Sequence, residues 1–141
     1  MSTDQQASCL CSAVKINTEK LKHNVGVCHC GMCRKWTGGP LLAIETEGKV
    51  SFEGEENITR FKSSQWAERG FCRKCGSHLF YHLLDSQQYI MPVGLFDIDD
   101  ELFLEHQIFI EEKPDYYSFS QKTKNMTGAE VFAEFEKANN G

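Results

Sequence analysis

The amino-acid sequence predicts a mainly β domain with antiparallel strands and one short helix near the C-terminus. Short segments rich in apolar and β-branched residues alternate with Gly, Asp, Asn and Pro turn signals along most of the chain, which is typical of antiparallel sheets. A capping signal followed by apolar residues at clear helical spacing occurs only from residue 127 onwards. The length of 141 residues and the lack of a linker-like stretch predict a single domain over residues 1–141.

The first half of the chain is divided by glycine and proline. Residues 8–17 alternate imperfectly between apolar and polar side chains and predict a first strand, and residues 24–30 predict a second. The second strand leads through Gly31 into a short irregular or helical piece, which ends before Gly38-Gly39-Pro40. Glu47-Gly48 then predicts the turn of a hairpin. The strands of this hairpin are residues 41–46 and 49–53.

In the second half, polar turns separate the strands. Turns are predicted at residues 54–57, 72–76, 85–86 and 97–101. Strands are predicted at residues 58–62, 69–72, 78–83, 88–95 and 102–110. Thr127 and Glu130 have the spacing of a capping box, so a helix that closes one face of the sheet is expected to begin there. The apolar residues of this helix are Val131, Phe132, Phe135 and Ala138.

Composition and charge argue against several classes of partner. The formal net charge is −5 and no basic run exceeds two residues, which disfavours binding to nucleic acid or to an anionic membrane surface. No apolar run approaches the ~18 residues of a membrane-spanning helix. Residues 1–7 lack the basic and apolar regions of a secretion signal. We therefore expect a cytoplasmic protein, in which thiols are kept reduced.

The cysteine spacing predicts metal ligation. Seven cysteines cannot pair completely within one chain, and side chains two apart on a strand are parallel, so disulfides are disfavoured. Cys9 with Cys11 and Cys72 with Cys75 are pairs at ligand spacing, and Gly76 gives the backbone room to reverse. Two such pairs supply four thiolates, the tetrahedral set of a closed structural zinc site.

Three further cysteines, Cys28, Cys30 and Cys33, lie within six residues. They offer three local thiolates and no evident fourth ligand, which is the open pattern of a catalytic zinc with water or a substrate thiol in the remaining position. A thiol at such an ion loses its proton. The sequence therefore predicts a site that makes a good sulfur nucleophile at neutral pH.

The spacing also allows other divisions of the ligands. Cys9 and Cys11 with Cys28 and Cys30 would make a different four-thiolate site. His78 completes a Cys-x-x-Cys-x-x-His spacing, so it competes for the closed site or closes the second one. A strand histidine is the simpler interpretation of His78, because four cysteines already satisfy one ion.

Polar and aromatic residues around the triplet have both functional and structural interpretations. His29 is expected to point away from the sulfurs of its neighbours, as a surface residue or one that supports the ligands. Arg34 and Lys35 are candidates to bind a substrate carboxylate, although solvated surface charge is the commoner role. Trp36 is expected in the core or at the wall of a pocket. No specific signal is carried by His23, His82 or His106.

The sequence carries three motifs in order: Cys-Leu-Cys at residues 9–11, Cys-His-Cys-Gly-Met-Cys-Arg-Lys-Trp-Thr-Gly-Gly at residues 28–39, and Phe-Cys-Arg-Lys-Cys-Gly-Ser-His-Leu-Phe at residues 71–80. In these motifs the chain resembles the glutathione-dependent formaldehyde-activating enzyme family, which includes centromere protein V. The resemblance covers about residues 8–112, and each of the seven cysteines of the family motifs has a counterpart in this sequence.

The resemblance implies an Mss4-like zinc-binding fold with two zinc ions per chain. It assigns the structural zinc to Cys9, Cys11, Cys72 and Cys75. It assigns the open zinc to Cys28, Cys30 and Cys33, with no catalytic residue beyond that site. The implied activity is that of a carbon–sulfur lyase, which joins glutathione and formaldehyde, or another small aldehyde, to S-(hydroxymethyl)glutathione. The alternatives are a non-catalytic zinc protein that binds glutathione or another thiol, and a purely structural domain.

Overall fold

The computed structural model describes residues 5–98 and 102–140, with side chains as far as residue 137. Strands dominate these residues and a short helix lies near the C-terminus, which confirms the predicted mainly β fold. The strands are β1 (Gln5–Ser8), β2 (Lys15–Leu21), β3 (Asn24–Cys28), β4 (Leu41–Glu53), β5 (Ile58–Lys62), β6 (Ala67–Cys72), β7 (His78–Leu83), β8 (Tyr89–Pro92), β9 (Phe103–Ile108) and β10 (Lys124–Met126). The helices are α1 (Gly31–Thr37) and α2 (Gly128–Asn140).

The chain forms two compact units, each built from two separate segments. The first contains residues 1–23 and 43–102, and the second contains residues 24–42 and 103–141. The N-terminal residues 1–4, and residues 99–101 of the predicted polar turn, lie outside the described part of the chain. The prediction of a single domain stays a prediction.

The first unit is an antiparallel sheet. Its pairs run β1 with β2, β2 with β4, β4 with β8, β8 with β7, β7 with β6 and β6 with β5. The fully buried ring of Phe80 lies in its core, where Tyr89 packs edge-on at a centroid distance of 5.0 Å. Ile16, Ile44 and Leu79 are buried in the same core. Burial of such large apolar side chains is the main stabilising contribution to a sheet of this size.

The second unit differs from the antiparallel expectation, because its strands pair in parallel. β9 lies between β3 and β10 and runs parallel to both. Parallel neighbours need long connections, and here the chain between β3 and β9 carries α1 and the strands β4 to β8. The three-residue β10 has no signal in the sequence pattern, because a segment so short shows no alternation.

The C-terminal helix begins where the capping box predicts. The Thr127 hydroxyl accepts the Glu130 amide at 3.2 Å, and the Glu130 carboxylate accepts the Thr127 amide at 2.9 Å. A Cβ on Gly128 would lie 2.6 Å from the Phe109 ring, so the start of this helix needs glycine. Phe109 in turn packs edge-on against Phe132 of α2 at 5.8 Å. No helix in the described residues is both long and apolar enough to cross a membrane.

Three predicted elements are wrong in detail. The predicted strand at residues 88–95 ends at Pro92, and Val93–Leu95 form a 3-10 helix. Residues 8–17 are not one strand, because β1 ends at Ser8 and β2 begins at Lys15. The predicted hairpin at Glu47-Gly48 is part of the continuous strand β4. Gly48 has a φ of 79°, and the pairing with β2 shifts register there, so its left-handed conformation forms a bulge where a turn was expected.

Candidate metal centre

Four cysteines of the first unit converge on one point. The sulfur atoms of Cys9, Cys11, Cys72 and Cys75 all lie within 4.8 Å of one another. The Cys9–Cys11 sulfur distance is 3.7 Å and the Cys11–Cys72 distance is 3.8 Å. A tetrahedron with Zn–S bonds of ~2.3 Å has sulfur–sulfur edges of about 3.8 Å. The donor atoms and their spacing therefore fit a four-thiolate zinc ion.

The Cys9–Cys11 pair is presented by a tight loop, which corrects the strand geometry expected from the sequence. Ser12 adopts a left-handed φ of 65°, and its amide donates to the Cys9 carbonyl at 3.0 Å. The Val14 amide donates to the Cys9 sulfur at 3.3 Å. The loop, and not alternation along a strand, brings the two sulfurs together.

The Cys72–Cys75 pair lies in the predicted turn. The Gly76 amide donates to the Cys72 carbonyl at 2.7 Å, and Gly76 has a left-handed φ of 78°, which glycine adopts without strain. The Ser77 hydroxyl contacts the Cys75 sulfur at 3.2 Å and accepts the Leu10 amide at 3.0 Å. Hydrogen bonds from the Ser77 side chain and amide lower the pKa of Cys75 to about 5. Ser77 thus supports a candidate ligand and joins the two loops, a role that no motif in the chain predicts.

Three cysteines of the second unit form a separate group. Cys28 ends β3, Cys30 is the N-cap of α1, and Cys33 is buried inside that helix. Their sulfurs lie within 4.8 Å of one another, and the Cys33 amide donates to the Cys30 sulfur at 3.3 Å. Hydrogen bonding to Cys30 and Cys33, together with burial, raises the pKa of Cys28 above its ordinary value. A cation among these thiols would reverse that effect, so the donor set suits a thiophilic metal such as zinc.

The positions of the sulfur atoms favour one of the divisions that the sequence left open. Within the described residues, the pair Cys9 and Cys11 groups with Cys72 and Cys75, so the set that combined it with Cys28 is not formed. His78 belongs to neither group. His82 is buried in β7, where its Nδ1 donates to the Glu68 carboxylate at 2.9 Å.

His29 is not at the surface, contrary to one of the two expectations. Its side chain is fully buried, with Nε2 2.7 Å from the Gln107 Oε1 atom and Nδ1 2.8 Å from the Tyr117 hydroxyl. Burial lowers the pKa of His29, and the charges of Lys113 and Arg34 lower it further. The imidazole thus lies beneath the strand end between two cysteines, held by the Gln107 and Tyr117 side chains.

The two cations after the triplet differ in their surroundings. Arg34 is half-buried, and its Nε donates to the His29 carbonyl at 2.9 Å, whereas Lys35 is exposed. Trp36 is half-buried on the same helix.

The Glu112 carboxylate accepts the amide of Gly31, the first residue of α1, at 2.9 Å. A carboxylate at this end of a helix is favourable, because the amides there are unpaired and carry partial positive charge.

A sequence profile of the glutathione-dependent formaldehyde-activating enzyme family matches residues 4–112. The chain belongs to this family. It is also similar to an uncharacterized lyase of Schizosaccharomyces pombe, with 31% identity over 135 residues, which cover 95% of this chain and 98% of the lyase. The family assignment drawn from the cysteine motifs is confirmed.

A solved structure supports the fold independently. The crystal structure of a Rhodobacter sphaeroides protein matches with a TM-score of 0.55 and 24% identity, covering 67% of this chain and 91% of that protein. At this identity the similarity concerns the fold alone.

Proposed function

We propose that this chain is a zinc-dependent carbon–sulfur lyase-type enzyme that joins glutathione to formaldehyde, or to another small aldehyde, to give S-(hydroxymethyl)glutathione. The observation that carries the proposal is the group of three sulfurs at Cys28, Cys30 and Cys33, which leaves one corner of a tetrahedron for a ligand from solution. Family membership and the similarity to a lyase support the same class of reaction.

The two cysteine groups have different roles in this proposal. The four-sulfur group would hold a structural zinc and contribute to the free energy of folding. The three-sulfur group would hold a second zinc, which when bound lowers the pKa of a substrate thiol and so supplies a thiolate at neutral pH. The reaction balances without any redox partner. The thiol sulfur bonds to the aldehyde carbon, the carbon–oxygen π bond opens, and the oxygen takes up a proton in place of the one that the thiol released.

Arg34 and Lys35 are the candidates to bind a glutathione carboxylate. Because the Nε of Arg34 is held by the His29 carbonyl, its guanidinium has a fixed direction beside the triplet. A planar guanidinium can bind a carboxylate through two parallel hydrogen bonds. Lys35 is exposed and would contribute a charge without that geometry.

The first experiment measures the rate of S-(hydroxymethyl)glutathione formation with the uncatalysed rate subtracted, because thiols add to formaldehyde without help. The zinc-loaded chain should accelerate the reaction, whereas Cys30→Ser and chelated protein should not. Tyr116→Phe is a matched control, since the Tyr116 side chain is 78% exposed. Equal rates for all four samples would refute the proposed enzymatic activity. Thiol-dependent change at the metal without acceleration would favour the alternative of a thiol-binding zinc protein.

The second experiment is metal analysis of the purified chain with and without glutathione. Two zinc ions per chain, one of them labile, are expected from a closed and an open site. One zinc per chain would contradict the proposed open site.

A further inference from the structure

The backbone of His29 is fixed on both sides between two cysteines of the triplet. Its amide donates to the Ile108 carbonyl at 3.2 Å, and its carbonyl accepts from Arg34 Nε at 2.9 Å. Neighbouring residues on an extended backbone point to opposite faces. Because the imidazole is fully buried on one face, the side chains of Cys28 and Cys30 are directed to the other. Contacts that fix the orientation of the imidazole therefore also fix the directions of the Cys28 and Cys30 side chains.

The imidazole lies in a chain of hydrogen bonds with one direction. Thr123 donates to the Asn125 amide oxygen at 2.6 Å and accepts from the Gln107 amide nitrogen at 2.8 Å. The oxygen of that amide consequently faces His29 and accepts from its Nε2 at 2.7 Å. In the neutral imidazole Nδ1 is then an acceptor, so the Tyr117 hydroxyl donates to it at 2.8 Å. Every donor in this chain of hydrogen bonds therefore meets an acceptor.

Tyr117 belongs to the segment at residues 113–123, which joins the turn after β9 to β10 and follows the stretch that the family profile matches. Its ring stacks on the imidazole of His29 at a centroid distance of 5.5 Å and an interplanar angle of 27°. The Lys113 ammonium lies 5.4 Å from the same ring, and Phe119 packs edge-on at 6.3 Å. The tyrosine therefore contacts His29 through both its ring and its hydroxyl.

We propose that Tyr117 is a positioning residue for the three-cysteine site, which it orders through the imidazole of His29. The hydroxyl fixes the ring orientation, and the fixed ring sets the direction in which the sulfurs of Cys28 and Cys30 approach a metal. This inference rests on the proposed function, because it requires a metal at the triplet. At known sites, loss of an outer-shell hydrogen bond of this kind weakens metal binding about 10–100-fold. An effect near the lower limit is expected, since Tyr117 acts through a residue that is not itself a ligand.

The test compares Tyr117→Phe with Tyr116→Phe. The first removes the hydroxyl and keeps the ring on His29, and the second removes a hydroxyl from the neighbouring tyrosine, which is largely exposed. Affinities for both zinc ions are measured by competition with a chromophoric chelator. The cobalt-substituted proteins are compared by their sulfur-to-cobalt charge-transfer bands. Thr123→Val is a second variant, which cuts the far end of the chain of hydrogen bonds.

In Tyr117→Phe we expect about tenfold weaker binding of the labile metal and an altered charge-transfer spectrum, with the other metal unchanged. Thr123→Val should shift both readouts in the same direction by less, and Tyr116→Phe should match the wild type. Wild-type affinity and spectrum in both Tyr117→Phe and Thr123→Val would overturn the inference, as would equal weakening of both metals in Tyr117→Phe. A wild-type chain that binds one metal would refute the proposed function itself, which distinguishes the two failures.

Discussion

Replacement of Ser77 by alanine should weaken the four-cysteine site without removing a ligand. The serine hydroxyl lies 3.2 Å from the Cys75 sulfur and accepts the Leu10 amide at 3.0 Å. When Cys75 is a thiolate, the hydroxyl must donate to it. Ser77→Ala therefore removes one charge-assisted hydrogen bond to a ligand and one bond between the two cysteine loops.

The size of the effect follows from these two contacts. A hydrogen bond to a charged group contributes about 1.5–3 kcal/mol, and the lower value applies here because a metal ion would share the charge of the thiolate. The Leu10 amide is at the surface, so water replaces its lost partner at little cost. About 1.5 kcal/mol corresponds to roughly tenfold weaker metal binding. The Ser77 hydroxyl is the largest of the causes that lower the pKa of Cys75 to about 5, so its loss raises that pKa and lets protons compete with the metal at higher pH.

The assay is chelator competition for the tightly held metal at several pH values. Ser77→Thr keeps a hydroxyl and should restore affinity, and Ser51→Ala is a matched control on the exposed part of β4. We expect the gap between Ser77→Ala and the wild type to widen as the pH falls toward 5. A Ser77→Ala protein that binds as tightly as Ser51→Ala at every pH would refute the reasoning.

Two further predictions concern the sheet of the first unit. Burial raises the pKa of Glu68, but hydrogen bonds from His82 and Arg60 outweigh burial and hold this pKa below 4.5. The stabilisation by these hydrogen bonds is therefore present above pH 4.5 and is lost as the carboxylate becomes protonated at lower pH. Denaturant unfolding of Glu68→Gln should accordingly lose less stability on acidification than the wild type, and parallel pH curves would contradict this. Gly70→Ala would place a Cβ 2.2 Å from the buried Phe80 ring and should reduce the free energy of unfolding by about 1–3 kcal/mol. Gly94→Ala is the control and should be close to neutral, because no atom of the described residues, apart from its chain neighbours, would lie within 4 Å of its Cβ. Equal stabilities of the two variants would contradict the steric argument.

The sequence was most informative where ligands or caps are close in the chain. Cys72 and Cys75 lie in a turn that Gly76 closes, and the capping box at Thr127 begins α2 as expected. In such cases the relevant contacts span only a few residues, so residue type and spacing determine the local geometry. Short spacing predicted the two cysteine pairs and the triplet, whereas the union of the two pairs in one group was implied by the family resemblance.

The supporting residues could not be predicted, because their contacts join distant parts of the chain. His29 meets Gln107 and Tyr117 across 78 and 88 positions, and Leu10 meets Ser77 across 67. No periodicity connects such residues. The loop at Cys9 was missed for a different reason, since its left-handed residue is a serine, a type that carries little signal for that conformation.

The turn Ile110–Glu112 limits how the length of this region can change during evolution. Glu111 accepts the first amide of α2, and its neighbour Glu112 accepts the first amide of α1. A residue inserted between these adjacent glutamates would change the distance between two carboxylates that contact the starts of two helices far apart in the chain. We therefore expect insertions on either side of this turn to be tolerated better than insertions within it.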